Sequence, residues 1–167
     1  MPNEPEQRAN FDSPWKDILT NYFEDFIAFF FPQAHRAIDW SKPYQFLDTE
    51  LQQIVRDAEL GKRIADKLVQ VWLINGDSLW VLIHIEIQNK PQTDFAKRMY
   101  TYNHRIFDRY DRQVASLALL TDEQADWKPT YFGYNLLGCE ISFQFPVVKL
   151  LDYQQNWQEL EQNRNPF

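Results

Sequence analysis

The chain has 167 residues, 44% hydrophobic and 16% aromatic, with only 4 glycines, which suits one domain with a real core and excludes a fibrous or disordered protein. Its net charge is −7, from 24 acidic and 17 basic residues. That balance argues against nucleic-acid binding unless the cations are concentrated locally.

Residues 1–14 (MPNEPEQRANFDSP) are polar and proline-containing. They read as a loose N-terminal arm without a secretory signal, ahead of a single domain over 15–167. The lone cysteine, Cys139, excludes an internal disulfide and a zinc cluster. It is expected as a small buried residue in an apolar strand, and a reducing cytoplasm is the simplest location. Apolar positions 15, 18, 19, 22, 23, 26, 27 and 30 predict an amphipathic helix over Trp15 to Phe31. This segment is too short for a membrane span and carries Lys16, Asp17, Glu24 and Asp25, so no membrane partner is expected.

Pro32 and Pro43 bracket an irregular stretch, and Phe46 to Glu59 reads as a short extended piece entering a short helix. Gly61 then precedes Ile64 to Ile74, whose branched and apolar residues predict a strand. Asn75-Gly76-Asp77 is a turn signal, and Leu79 to Gln88 is a second strand, apolar on both faces. The two make a central antiparallel hairpin. Thr93 to Arg112 is helical, Val114 to Leu120 is another doubly apolar strand, and Thr130 to Leu151 holds further extended segments. Gln154 to Asn163 is expected as a terminal helix. This order predicts an α/β fold, a central mixed β-sheet flanked by helices.

Two acids stand inside otherwise apolar strands, Asp66 and Glu86, and a buried carboxylate needs a cation, a donor or a metal. A three-residue loop at 75–77 would pair Ile74 with Ser78 and set Asp66 directly opposite Glu86, about 5 Å apart at Cβ. A two-residue turn would send them to opposite faces. Gln88 falls on the face of Glu86. Such an oxygen-rich pair suits Mg²⁺ or Mn²⁺, which can activate water against a phosphodiester. On spacing alone an equal alternative stands: Asp66 pairs with Arg63 or Lys67, and Glu86 surfaces at a strand end.

The following helix carries Arg98, Arg105, Arg109 and Arg112, which at about 100° per residue share a sector of about 60°. An arginine stripe in an acidic protein could hold a DNA backbone. Ion pairing to Asp94, Asp108 and Asp111 accounts for the same stripe equally well. His35, His84 and His104 lack metal-ligand spacing, and His84 reads as a core or supporting histidine. Nucleophile-elbow, phosphate-loop and dinucleotide fingerprints are missing.

The runs FLDTEL, GKRIADKLVQVW, LWVLIHIEIQ and FAKRMYTYNHRIFDRY resemble the bacterial recombination-promoting nuclease and transposase family, within the PD-(D/E)XK nuclease superfamily. The similarity covers about residues 15–150. It implies a restriction-endonuclease-like core and a metal-dependent endodeoxyribonuclease acting on DNA. Asp66 matches the motif aspartate, with Ala65 in place of proline, and Glu86 matches the second acid. Gln88 stands where the superfamily has lysine, so positive charge must come from the metal or from Lys90, Lys67 or Arg98. Arg98 and Tyr102 resemble residues that support such sites, and Glu50 is a weaker match for a further acid. Family members often carry further helical sequence at the C terminus, so a sequence stopping at Phe167 is expected as either a short member or a fragment. Two cuts on a duplex would suit a homodimer. The missing lysine and the acidic charge keep a second expectation open: a catalytically inactive nuclease-fold module that binds DNA or a protein partner.

Overall fold

The structure, a computed structural model, describes residues 15–57, 64–86 and 93–156; at 55–57, 64–66, 84–86 and 154–156 it describes the backbone alone. The first helical region is split in three: α1 over 15–21, α2 over Phe23–Phe30 and α3 over Pro32–Ala37. The single helix expected over Trp15 to Phe31 thus breaks at Tyr22, where φ is −132°. Phe31 ends α2 in a non-helical conformation, as the residue before a proline prefers, and Pro32 opens α3, where its missing N–H costs nothing.

Next come β1 (Gln45–Phe46), α4 (Asp48–Asp57), β2 (Ile64–Trp72), β3 (Ser78–Glu86), α5 (Phe95–Tyr110) and β4 (Val114–Leu120). The chain ends with β5 (Tyr131–Leu136), β6 (Cys139–Gln144), β7 (Val147–Lys149) and a 3-10 helix, Leu150–Asn156. That 3-10 helix overlaps the start of the expected terminal helix, and residues 157–163 of the expectation lie outside the described residues.

The main sheet has the order β1-β2-β3-β4-β7, antiparallel from β1 to β3 and parallel from β3 to β7. The fold is therefore α/β with a mixed sheet flanked by helices. One face buries Val69, Val71, Val81, Ile83, Leu117 and Leu119 against Leu19, Phe23, Phe26, Ile27 and Phe30 of the N-terminal helices. The other buries Leu68, Leu82 and Trp80 under α4 and the Tyr102 and Ile106 turns of α5. Further along that second face, Ala118 and Leu120 pack under Phe95 and Met99, from the first turns of α5. Period-two alternation makes this division: a doubly apolar strand needs a helical layer on each side.

The hairpin register differs from the expected one. Trp72 pairs with Ser78, so the connection runs from Leu73 to Asp77 and not from Asn75 to Asp77. Leu73 and Ile74 are engaged elsewhere: Leu73 bridges Ile38, and the Ile74 N–H donates to the Ala37 carbonyl at 3.0 Å. Gly76, at φ +96°, and an Asn75 side chain accepting from the Asp77 N–H at 2.9 Å close the turn.

A second sheet consists of β5 and β6 alone, joined by a two-residue turn at Leu137-Gly138 with both φ values positive. Such a turn matches the twist of its strands. Its inner rungs, Phe132 and Phe143, lie against Tyr100 of α5, with ring centroids 5.1 and 5.7 Å away. Cys139, expected to be buried, is exposed, because its strand belongs to this projecting hairpin rather than to the covered sheet.

Candidate functional site

At the C-terminal end of β3 the register lines up positions from four strands. Asp66, His84, Ala118 and Val147 form one row, and Ile64, Glu86, Leu120 and Lys149 the next. By alternation both rows belong to the face that holds Leu68, Leu82, Ala118 and Leu120. Positions 66 and 86 thus share one face of adjacent strands. They are diagonal neighbours rather than directly opposed, and His84 stands across from Asp66.

A diagonal pair has Cα atoms about 7–8 Å apart. Two carboxylate side chains of ordinary length, each making an ion–oxygen bond of about 2.1 Å, span that gap. Carboxylates are the donor type a hard divalent ion takes, and position 84 lies in the same two rows. Among the described residues no group of three or more histidine, cysteine, aspartate or glutamate side chains could hold a metal. The side chains at positions 66, 84 and 86 are not among those described, and Gln88 and Lys90 lie outside the described residues.

Above these rows lies the start of α5. Arg98 is 7% exposed, between Phe95, Met99 and Tyr102, which are buried as well. Since Phe95 and Met99 sit on Ala118 and Leu120, whose register partners are His84 and Glu86, the arginine is on the side of the sheet that holds the two acids. Tyr102 is 3% exposed and packs with Leu68 and Leu82 in the core.

The arginine stripe does not behave as one surface. Burial falls along the helix: Arg98 is buried, Arg105 half-buried and Arg109 exposed. Arg109 donates to the Gln53 side chain at 3.0 Å and lies 5.7 Å from the Tyr110 ring. Arg112 is off the helix altogether, because Asp111 takes a left-handed conformation (φ 50°) and ends α5. Glu50 is also apart from the two acids. Its carbonyl accepts from Tyr110 at 3.4 Å, and Tyr110 packs on Trp80, at the other end of β3 from Glu86. Lys67 belongs by alternation to the opposite sheet face, 3.3 Å from Asp48 and over the Phe46 ring. Lys67 therefore does not share the face of the Asp66 and Glu86 positions.

The strongest polar cluster at this end was not expected. Lys149, next to Leu120 in the Glu86 row, donates to both Asp122 carboxylate oxygens at 2.7 Å and to the Trp127 carbonyl at 2.9 Å. Both side chains of the ion pair are 0% exposed. The Gln124 N–H also donates to Asp122, at 2.9 Å. Its three donors satisfied, Lys149 clasps the loop after β4 to the edge strand β7. The signal was present: a lone charge in the apolar run VVKLL, of the kind that singled out Asp66 and Glu86.

No family model matches the chain, and neither a curated protein nor a solved structure does. Among the described residues no helix is long and apolar enough to cross a membrane.

Proposed function

We propose that this protein is a cytoplasmic, divalent-metal-dependent DNA endonuclease of the PD-(D/E)XK type, in the recombination-promoting nuclease and transposase family. The observation that carries the reading is the pairing of Asp66 and Glu86 positions on one sheet face with buried Arg98 on the helix above it. Asp66 and Glu86 hold the ion, Mg²⁺ or Mn²⁺. When bound, that ion supplies an activated water and offsets charge on the phosphodiester. Gln88 orients the water by hydrogen bonding. Arg98 contributes the positive charge that a glutamine does not, while Arg105 and Arg109 grip the DNA backbone farther along α5.

Calorimetric titration of Mg²⁺ and Mn²⁺ into wild type and a folded Glu86→Ala variant tests the site, and plasmid nicking tests the activity. Chelator-sensitive nicking that Asp66→Ala and Glu86→Ala each abolish is the expected result. Metal-dependent cleavage that persists in both variants would overturn the assignment.

A second reading is a nuclease-fold module that binds DNA or a protein without cutting. The placement of Lys67 on the wrong face, tied to Asp48, favours it, since Gln88 then has no substitute from β2. It predicts salt-sensitive binding and no nicking at any metal concentration.

A further inference from the structure

The β5–β6 hairpin is amphipathic along its whole length. Phe132, Tyr134, Leu136, Cys139, Ile141 and Phe143 share one face by register. The inner rung is covered by Tyr100, but the outer rungs overhang: Tyr134 is 51% exposed, Leu136 65% and Leu137 100%. Two strands alone make a marginal sheet, and among the described residues neither outer edge of this one is paired.

The edge of β5 is unusually unguarded. The strand has no charged residue and no proline, and residues 129–148 contain no lysine or arginine and a single acid, Glu140. The two-residue turn makes Leu136–Cys139 a hydrogen-bonded pair, so Tyr131, Gly133 and Asn135 direct their main-chain groups away from β6. Among the described residues no hydrogen bond reaches the outward groups of Gly133 or Asn135. The strand itself offers a polyanion no cation, whereas a copy of the same neutral strand brings no like charge against it.

The geometry points to β5 as a homodimer contact, pairing antiparallel with β5 of a second copy about a two-fold axis near Gly133. Tyr131 then faces Asn135 of the second copy and Gly133 faces its own equivalent, giving about six main-chain hydrogen bonds. The two hairpins merge into a four-stranded sheet, and Tyr134 packs beside the second copy's Phe132. The hairpin itself requires glycine at 133, because a Cβ there would run into the Ile141 carbonyl oxygen and the Tyr131 hydroxyl of the same chain. A six-residue strand is about 20 Å long, which places the contact among small, concentration-dependent interfaces. The inference does not depend on nuclease activity.

Sedimentation equilibrium across the micromolar range is the test, with circular dichroism to confirm folding of each variant. Wild type should rise from one to two chain masses with concentration. Asn135→Pro, which removes an outward N–H without touching the β5–β6 ladder, should weaken self-association at least tenfold. Leu136→Lys, an exposed change, should do the same, and Ser142→Pro on the β6 edge should not. A monomer throughout the range overturns the proposal, as does loss of the dimer through Ser142→Pro alone. Monomeric wild type whose duplex binding weakens on Leu137→Ser would assign the hairpin tip to DNA instead.

Discussion

Removing the Asp122 carboxylate should unfold the protein at markedly milder conditions. In the native state Lys149 is fully buried and donates to three acceptors, two of them on Asp122. Asp122→Ala leaves its ammonium with the Trp127 carbonyl alone, in a site without solvent. Breaking one partner from a buried pair costs about 3–5 kcal/mol, because the remaining charge keeps its desolvation penalty and loses its counter-charge. At about 2–4 °C per kcal/mol for a chain of this size, Tm should fall by about 6–20 °C. Urea denaturation followed by circular dichroism measures the change directly, and an unaltered slope would show that the folded and unfolded ensembles remain comparable. The double variant Asp122→Leu with Lys149→Met removes both charges and should recover most of the loss, to within about 2 kcal/mol of wild type. A loss below about 1 kcal/mol for Asp122→Ala, or a double variant as unstable as the two single losses added, would refute the assignment of a clasp.

Three further outcomes are expected. Asn103 donates to the Val114 carbonyl and the Ser116 hydroxyl, both at 2.9 Å, so Asn103→Ala should cost about 1–2 kcal/mol by urea denaturation; an unchanged midpoint would show that α5 is not pinned to β4 there. Burial and then the neighbouring Asp152 raise the Tyr153 hydroxyl above its ordinary value. Its stabilising effect is complete below the ordinary tyrosine range and is lost as pH rises through the raised value, so absorbance titration should show a late-ionising phenol that disappears in Tyr153→Phe. If the DNA-gripping role of the helix is right, Arg105→Glu with Arg109→Glu should lower duplex affinity and reduce the log–log salt slope by about 2, and an unchanged slope would remove the stripe from any phosphate track.

The strands of the main sheet were legible because their composition leaves little choice. VASLALL can be satisfied only between two apolar layers, and the run from Leu79 onward has the same property. Register was harder, since it depends on a partner distant in sequence. Ile74 looks like a strand residue, but its N–H is taken by Ala37, 37 positions earlier, and the pairing shifts by one rung on each strand. The shift keeps Asp66 and Glu86 on one face while exchanging which residue stands opposite Asp66, so His84 gained a place that spacing had not suggested. Cys139 shows the complementary failure. An apolar strand promises burial only if something covers it, and local sequence does not say whether a hairpin joins the main sheet or projects from it. Lys149 was missed for a similar reason: its counter-charge lies 27 residues away, beyond any helical or strand spacing.

The parallel pairing of β3 with β4 also governs the order in which the chain can assemble. β2 and β3 are joined by a short turn and can meet as soon as both exist, but each β4 residue lies 34 positions beyond its β3 partner. At a synthesis rate of about 5–20 residues per second, β3 waits about 2–7 s for the strand that completes it. During that interval one edge of an almost wholly apolar strand is bare. The segment that emerges next is α5, whose Tyr102 and Ile106 can close over Leu82 before β4 appears. A nascent chain in which α5 cannot form should therefore aggregate while still attached to the ribosome, even where its completed fold would be stable.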